Sequence, residues 1–327
     1  MELIRLPHTD LVVSQACMGT MTFGSQADKS ESCRIVDICL DAGINFFDTA
    51  NVYNQGLSEE ILGSALGAKR SKVVLADKVR GKMDREASYS GLSRTAIRQS
   101  IDESLTRLGT DYLDIYYLHQ PDYDTSIEET LETLESLRLE GKIRYSGTSN
   151  YSAWQLCEIL WLCEKNGYQP PWVSQPMYNL LARGIEQEYL PFTEQFEIGV
   201  VAYNPLAGGL LTGKHSHGQS PVENTRFEGG RASAKMYRNR YWHEDYFQAV
   251  EKLKVVAQQN QRSLIELAFT WVFSQKSVDV VILGASSSDQ LKKNLQTLEV
   301  PHLNDLETEQ CNEIWQHLRG STPSYNR

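Results

Sequence analysis

No stretch of this 327-residue chain approaches the roughly 18 consecutive apolar residues that a membrane helix needs. The N-terminal run Met1-Glu2-Leu3-Ile4-Arg5-Leu6-Pro7-His8 carries charge inside its apolar part, so no export signal is expected. The six cysteines, at 17, 33, 39, 157, 163 and 311, form neither Cys-x-x-Cys nor a Cys/His pair at zinc-ligand spacing. They read as reduced thiols of a cytoplasmic protein without a metal site or a disulfide framework. Positive charge is in short supply: 32 Lys and Arg stand against 42 Asp and Glu, a formal charge of -10. A surface of that sign repels phosphate backbones and anionic headgroups, which argues against nucleic acid and membrane partners. Proline is scarce, with 10 residues, and no Pro/Ser-rich linker divides the chain.

What is present is alternation. Short β-rich runs (Ala16-Met18, Asn45-Asp48, Val73-Ala76, Leu113-Leu118, Tyr145-Gly147, Val173-Gln175, Gly199-Tyr203 and Val278-Leu283) are separated by segments of helical period. Helices are expected over Glu31-Ala42, Glu59-Leu66, Ser93-Leu108, Ile127-Glu140, Ala153-Lys165, Glu188-Phe196, Tyr246-Gln259, Leu264-Ser274 and Asp289-Leu298. Gly43, Gly67, Gly109 and Gly141 stand where C-terminal caps belong. Eight strands each followed by a helix predict an α/β fold, a (β/α)8 TIM barrel, as a single domain over residues 1–327. An N-terminal β-hairpin between Leu3 and Val13 is expected to close the barrel floor, and a long loop is expected after strand seven.

In such a barrel the chemistry collects at the C-terminal ends of the strands. Strand two ends at Asp48, with Tyr53 five residues on; strand three runs through Asp77 into Lys78; strand four ends at His119. Tyrosine, with an ordinary pKa near 10, donates a proton poorly at neutral pH unless a neighbouring cation stabilises its phenolate. Lys78 can supply that charge, Asp48 can hold the lysine, and His119 can orient a substrate carbonyl. The other reading of these residues is a buried ion pair beside a satisfied core histidine; four rim positions together favour catalysis.

The motif Asp48-Thr49-Ala50-x-x-Tyr53, Lys78 after strand three and Leu118-His119 after strand four resemble the catalytic tetrad of the aldo-keto reductases. The resemblance extends over nearly the whole chain, through Gly19-Thr20-Met21-Thr22-Phe23-Gly24, Gly109-Thr110-Asp111-Tyr112-Leu113-Asp114, Gly147-Thr148-Ser149-Asn150 and Ala202-Tyr203-Asn204-Pro205-Leu206. The tail Gly284-Ala285-Ser286 with Gln290 and Asn294 is similar to the branch that contains bacterial reductases and potassium-channel beta subunits. It implies a nicotinamide dinucleotide held by the barrel itself, and no Gly-x-Gly-x-x-Gly follows a strand to suggest otherwise. By the resemblance, Ser149, Asn150 and Gln175 hold the carboxamide, Tyr203 stacks on the nicotinamide, and Asp48 also touches the ribose. Gly19, Thr20, Met21, Asn204, Pro205, Leu206 and Gly284 complete the implied cofactor contacts.

Two segments bear on the phosphates. Leu206 to Lys214, with Gly208 and Gly209, offers flexible amides and a lysine suited to a pyrophosphate. Gly208, Gly213 and Lys214 also fit Gly-x-x-x-x-Gly-Lys, but His215 stands where a nucleotide-triphosphate loop needs Ser or Thr. From Lys214 to Arg240, the basic residues Lys214, Arg226, Arg231, Lys235, Arg238 and Arg240 face only Glu223 and Glu228, which reads as a loop folding over bound cofactor in preference to a solvated surface loop. The family's 2′-phosphate site, at the start of the expected last helix, maps to Ser286, Gln290 and Asn294 and favours NADPH/NADP+ over NADH. Three departures from the family stand out: Gln290 where many members carry Arg, Lys293 where Glu is usual, and Asp77 where Ser, Thr or Ala is expected.

The activity implied is reversible reduction of an aldehyde or ketone carbonyl to an alcohol, with Tyr53 as proton donor. Met21, Phe23, Tyr53, His119, Tyr241 and Trp242 read as pocket walls, with core or loop packing as the other reading of Met21, Phe23, Tyr241 and Trp242. The alternative is a nicotinamide-binding regulatory module with little turnover, as in the channel beta subunits. His119 weighs against it, because those subunits usually carry Asn there. A hydrolase or lyase is not expected, since paired carboxylates and metal-ligand clusters are missing from the strand ends.

Overall fold

The computed structural model describes residues 1–83, 89–223, 225–230 and 232–321. The chain starts with a hairpin, β1 (Leu3–Arg5) against β2 (Val12–Ser14), antiparallel with Ile4 opposite Val13. Its turn is closed by the Leu6 amide on the Leu11 carbonyl at 3.0 Å, and Leu6, Leu11 and Val13 are buried. Its bonds to the barrel lie at the starts of strands. Asn45 donates to the Val12 carbonyl at 2.9 Å, Arg144 pairs with Asp10 at 2.7 Å, and the His8 ring stacks on Trp172 at 4.1 Å. The hairpin therefore covers the barrel floor, as its apolar content required.

Eight parallel strands follow: β3 (Ala16–Gly19), β4 (Phe46–Asp48), β5 (Val74–Val79), β6 (Leu113–Leu118), β7 (Ile143–Ser149), β8 (Val173–Gln175), β9 (Gly199–Ala202) and β10 (Val280–Gly284). They close in chain order, with β10 returning to β3 and Gly284 opposite Gly19. Strands covered on both faces read as continuous apolar runs, and β5, β6 and β9 are buried at every position. Between strands lie α1 (Lys29–Asp41), α2 (Leu57–Leu66), α3 (Arg94–Leu108), α4 (Ile127–Leu139), α5 (Ala153–Asn166) and α6 (Tyr189–Gln195). After β9 come α7 (Ala232–Tyr241), α8 (Glu244–Gln259) and α9 (Leu264–Phe273), and after β10 come α10 (Ser288–Gln296) and α11 (Asp305–Arg319).

The sequence-based boundaries need three corrections. β5 continues to Val79, so Asp77 and Lys78 belong to the strand rather than to its exit. The loop after β9 contains α7, built from Ala-Ser-Ala-Lys-Met, whose helix-forming residues outweigh the glycines before them. And α10 is not the last helix: Asn304 caps α11 in a reciprocal box with Glu307, a signal present in the sequence.

By contact density the chain divides into two units. The first (Met1–Pro176, Phe192–Ala202, Asp279–Lys292) holds the hairpin and the whole barrel. The second (Met177–Pro191, Tyr203–Val278, Lys293–Arg327) holds α7, α8, α9 and α11. Its interior includes Tyr178 against Trp271 at 5.0 Å, the Arg183 guanidinium over the Trp271 ring, and Arg262 bonded to buried Glu307 at 2.6 Å. Among the described residues no helix is long and apolar enough to cross a membrane.

In the first unit α2 meets α3 at a backbone contact. A Cβ on Gly63 would lie 2.3 Å from the Leu108 carbonyl oxygen, and backbone cannot yield as a side chain can. Gly63→Ala is expected to cost about 1–3 kcal/mol, read as a lower urea midpoint with an unchanged slope.

Candidate active site

The first of the expected site residues, Asp48, ends β4 with 2% of its surface exposed. Beyond it the chain stays bonded to β5: the Thr49 amide donates to Ala76 at 2.9 Å and the Asn51 amide to Lys78 at 3.2 Å. The chain then turns sharply over Tyr53–Gly56, where Asn54 and Gln55 take left-handed backbone angles, φ 49° and 56°. Asn54 tolerates that conformation and anchors the turn by donating its side-chain amide to the Phe23 carbonyl at 2.6 Å. Tyr53, at the start of the turn, is thereby held over the end of the barrel that β4 and β5 share.

Lys78 is fully buried and points into the barrel. Its ammonium donates to Asp48 Oδ1, to the Thr49 carbonyl at 2.7 Å and to Tyr53 Oη at 3.4 Å. Burial opposes its charge, but Asp48, Tyr53 and Asp77 outweigh burial and hold it above the ordinary lysine range. The second carboxylate oxygen of Asp48 accepts from Gln175 Nε2 at 2.8 Å, so both oxygens are satisfied. His119 follows β6, its ring edge-on to Tyr53 at 6.0 Å. Burial, then Lys78 and Arg80, push the imidazole down to about 3, so it is neutral across the neutral range. The arrangement is a phenol within reach of a fixed cation, beside a neutral imidazole.

Ser149, Asn150 and Gln175 interlock with this group. Ser149 Oγ donates to the Gln175 carbonyl at 3.0 Å, and Asn150, at φ 61°, donates to the His119 carbonyl at 2.8 Å. Thr20, after β3, shares a hydroxyl contact of 2.8 Å with Ser58. Gly19 and Gly284 sit opposite each other at the ends of β3 and β10. Ser286 donates its amide and hydroxyl to Gln290 Oε1 at 2.8 and 3.0 Å. At the N-terminus of α10 the Ser288 amide donates to Glu31, a residue the sequence reading passed over. The Ser288 amide, then Arg34 and the Ser288 hydroxyl, pull the Glu31 carboxyl down to about 2.

The second unit holds the remaining expected cofactor residues. Tyr203 pairs with Met177 as a β-bridge, and Asn204, at φ 65°, accepts the Gly208 amide at 2.6 Å. Pro205 leads into a 3₁₀ turn over Ala207–Thr212, with Leu206 as its cap and Gly208 and Gly209 at positive φ, not into the long helix a triphosphate loop opens. Lys214 is exposed. Arg226 donates to Tyr237 Oη at 3.1 Å, and Arg238 donates to the Gly229 carbonyl at 2.8 Å, so two of the loop's basic residues tie it to α7. Arg231 lies outside the described residues. Asn294 is buried in α10.

Of the expected pocket walls in the first unit, Met21 is part-exposed and Phe23 is fully buried. In the second, Tyr241 is 1% exposed, its hydroxyl within reach of Asn179 at 3.1 Å and Asn204 at 2.9 Å. Trp242 packs among His215, Phe227 and Phe247 at 5.0–5.3 Å. Packing accounts for both side chains as they stand.

Comparison with known proteins agrees with the barrel. The chain is 39% identical to aflatoxin B1 aldehyde reductase member 2 of Rattus norvegicus, over 95% of this chain and 87% of the rat protein. It is 38% identical to a probable voltage-gated potassium channel subunit beta of Oryza sativa subsp. japonica, over 92% of each. The uncharacterized oxidoreductase YrpG of Bacillus subtilis (strain 168) is 34% identical over 99% of this chain and 98% of its own length. The model of the Aldo/keto reductase family matches residues 16–316, which takes in every barrel strand and leaves out the floor hairpin. On that match the chain belongs to the Aldo/keto reductase family and is an oxidoreductase.

Proposed function

We propose that this chain reduces aldehyde or ketone carbonyls to alcohols, reversibly, using NADPH in preference to NADH, with Asp48, Tyr53, Lys78 and His119 as its catalytic group. The observation that carries the reading is the Lys78 ammonium, buried and tied to Asp48, 3.4 Å from the Tyr53 hydroxyl. The donor set suits a dinucleotide in the first unit. Gln175 and Ser149 present amide and hydroxyl groups beside Asp48, and the α10 N-terminus already binds a carboxylate in Glu31, the charge type of a phosphate. From the second unit the resemblance adds Tyr203, the turn Asn204 to Gly209, Lys214, Arg226 and Asn294. When bound, the nicotinamide supplies the hydride.

The protein's part is proton transfer and orientation. Tyr53 gives its hydroxyl proton to the developing alkoxide, and the Lys78 charge stabilises the phenolate left behind. Asp48 keeps the ammonium fixed, so that Lys78 acts as a field rather than as an acid. A neutral His119 can donate one hydrogen bond to the carbonyl oxygen, which orients the substrate without competing as proton source. Met21 and the exposed faces of Tyr53 and His119 are the walls this reading gives the substrate. The small-molecule carbonyl is its partner, with a cytoplasmic location and no nucleic acid or membrane.

The regulatory alternative draws on the relatives described as channel subunits. It is disfavoured by His119, which completes a set for turnover. The cofactor reading is tested by fluorescence titration with NADPH and with NADH. Glu31 holds the Ser288 amide and would repel a 2′-phosphate at the same helix end, so Glu31→Gln is expected to tighten NADPH binding about two- to fivefold. NADH binding should move by less than about twofold, because it lacks the 2′-phosphate that would sense the charge. Equal shifts for both nucleotides would remove α10 from the phosphate site.

A further inference from the structure

Lys78 faces the barrel interior, and strand alternation turns its neighbour Asp77 toward the helices. Asp77 is fully buried; neither carboxyl oxygen makes a hydrogen bond of good geometry, although the Ser104 hydroxyl and the Lys78 amide face it. Around it stand Glu59 of α2, Ser104 and Arg107 of α3, Tyr116 of β6, and Lys78 on its own strand. Glu59 is also fully buried. Its Oε2 accepts from Arg107 Nε at 2.7 Å, while its Oε1 has no partner. Arg107 further contacts Glu103 at 3.4 Å, and Glu103 accepts the Tyr89 hydroxyl. Tyr116 Oη is buried without a partner. One guanidinium thus serves two fully buried carboxyl groups and a third, half-exposed one. A fully buried carboxyl that faces a second one beside a single guanidinium is disfavoured as a charge, and the usual resolution is that one of the pair takes up a proton.

The same arginine touches the Tyr53 turn. Gly56 closes that turn at φ 87°, and a Cβ there would stand 2.7 Å from Arg107 Cδ and 2.8 Å from its Nε. The Arg107 side chain therefore packs against the residue that joins Tyr53 to α2, while holding Glu59 in the first turn of that helix. At its far side the group reaches the strand residue next to Lys78.

We propose that Asp77, Glu59 and Arg107 form a positioning group, in which the two carboxyls hold a single proton and so fix the Tyr53 turn at its working distance from Lys78. None of the three touches substrate; they act through the placement of Tyr53. Burial, then Glu59, push the Asp77 carboxyl well above the ordinary carboxylate range, in keeping with a neutral acid. When the proton leaves to solvent at alkaline pH, two carboxylates confront one guanidinium, the clamp loosens and kcat falls. The kinetic consequence rests on the carbonyl-reductase reading, whereas the proton itself does not.

Infrared spectroscopy of the full-length protein in H2O and D2O reads the carboxylic-acid C=O stretch directly. At neutral pH one such band is expected to vanish in Asp77→Asn. In Glu59→Gln, where the like charge is gone, the band should disappear at a pH lower by about one unit or more. In turnover, Asp77→Asn, which keeps a hydrogen-bond donor of the same shape, should hold kcat within about threefold of the parent, whereas Asp77→Ala should lower it roughly 10- to 100-fold at nearly constant KM. Nucleotide affinity should stay constant in both. An unchanged band in Asp77→Asn, or a loss of kcat in Asp77→Asn as large as in Asp77→Ala, overturns the proposal. Should Asp77→Ala fail to fold, the infrared pair decides alone. A parent protein that turns over no carbonyl defeats the function reading and leaves the infrared result standing.

Discussion

Tyr53→Phe is expected to lower kcat for carbonyl reduction by roughly 10²- to 10⁴-fold while leaving the dissociation constant for NADPH within about twofold. The substitution deletes one oxygen and keeps the ring that packs edge-on against His119 at 6.0 Å. It removes the acceptor that Lys78 meets at Tyr53, at 3.4 Å, but Asp48 and the Thr49 carbonyl still hold the ammonium. The ion pair therefore survives, and so should the fold. A loss of turnover without loss of nucleotide affinity assigns the proton to this hydroxyl. If His119 were the donor instead, Tyr53→Phe would keep most of its activity. The depressed imidazole argues against that, since a ring held neutral across the neutral range has no imidazolium proton to give.

Lys78→Met should be more damaging, because it acts on stability as well as on chemistry. The lysine is fully buried, and its removal strands Asp48 with one of its two partners gone. Removing one member of a buried pair typically costs about 3–5 kcal/mol, which denaturant unfolding reads as a lower midpoint. Adding Asp48→Asn to Lys78→Met should restore part of that stability, because no unpaired charge remains, and none of the activity. The pH dependence has a definite sign. The folded-state pKa of Lys78 is raised, so the pair's contribution is complete below the unfolded lysine value of about 10.4 and is lost as pH rises through the higher folded value. Lys78→Met should flatten that alkaline fall.

Much of this was legible in the chain because barrels impose strong patterns. The eight apolar runs were visible since β5, β6 and β9 are buried on both faces, and the rim residues could be found once strand ends were located. Asp48, Tyr53, Lys78 and His119 do lie together at one end of the barrel. What escaped is what depends on distant partners. Glu31 reads as an ordinary first-turn acid of α1, and only the fold brings it to Ser288, 257 residues away. Asp77 looked misplaced beside Lys78 because its company, Glu59 and Arg107, comes from two helices whose relative placement no local pattern encodes. The surplus of positive charge between Lys214 and Arg240 suggested a clasp over phosphates. Within the second unit Arg226 bonds Tyr237 and Arg238 the backbone at Gly229, pairings that no local pattern announces. Helix α7 was hidden by the glycines before it, whereas α11 announced itself in Asn304 and Glu307 and could have been read.

The most direct test of the central claim is product formation. Purified protein is mixed with NADPH and a panel of aldehydes and ketones, and both nucleotide oxidation and the alcohol are followed. The account predicts alcohol formed in equal amount to NADPH consumed, over many turnovers and dependent on Tyr53. Tight nucleotide binding with no alcohol from any carbonyl would contradict it.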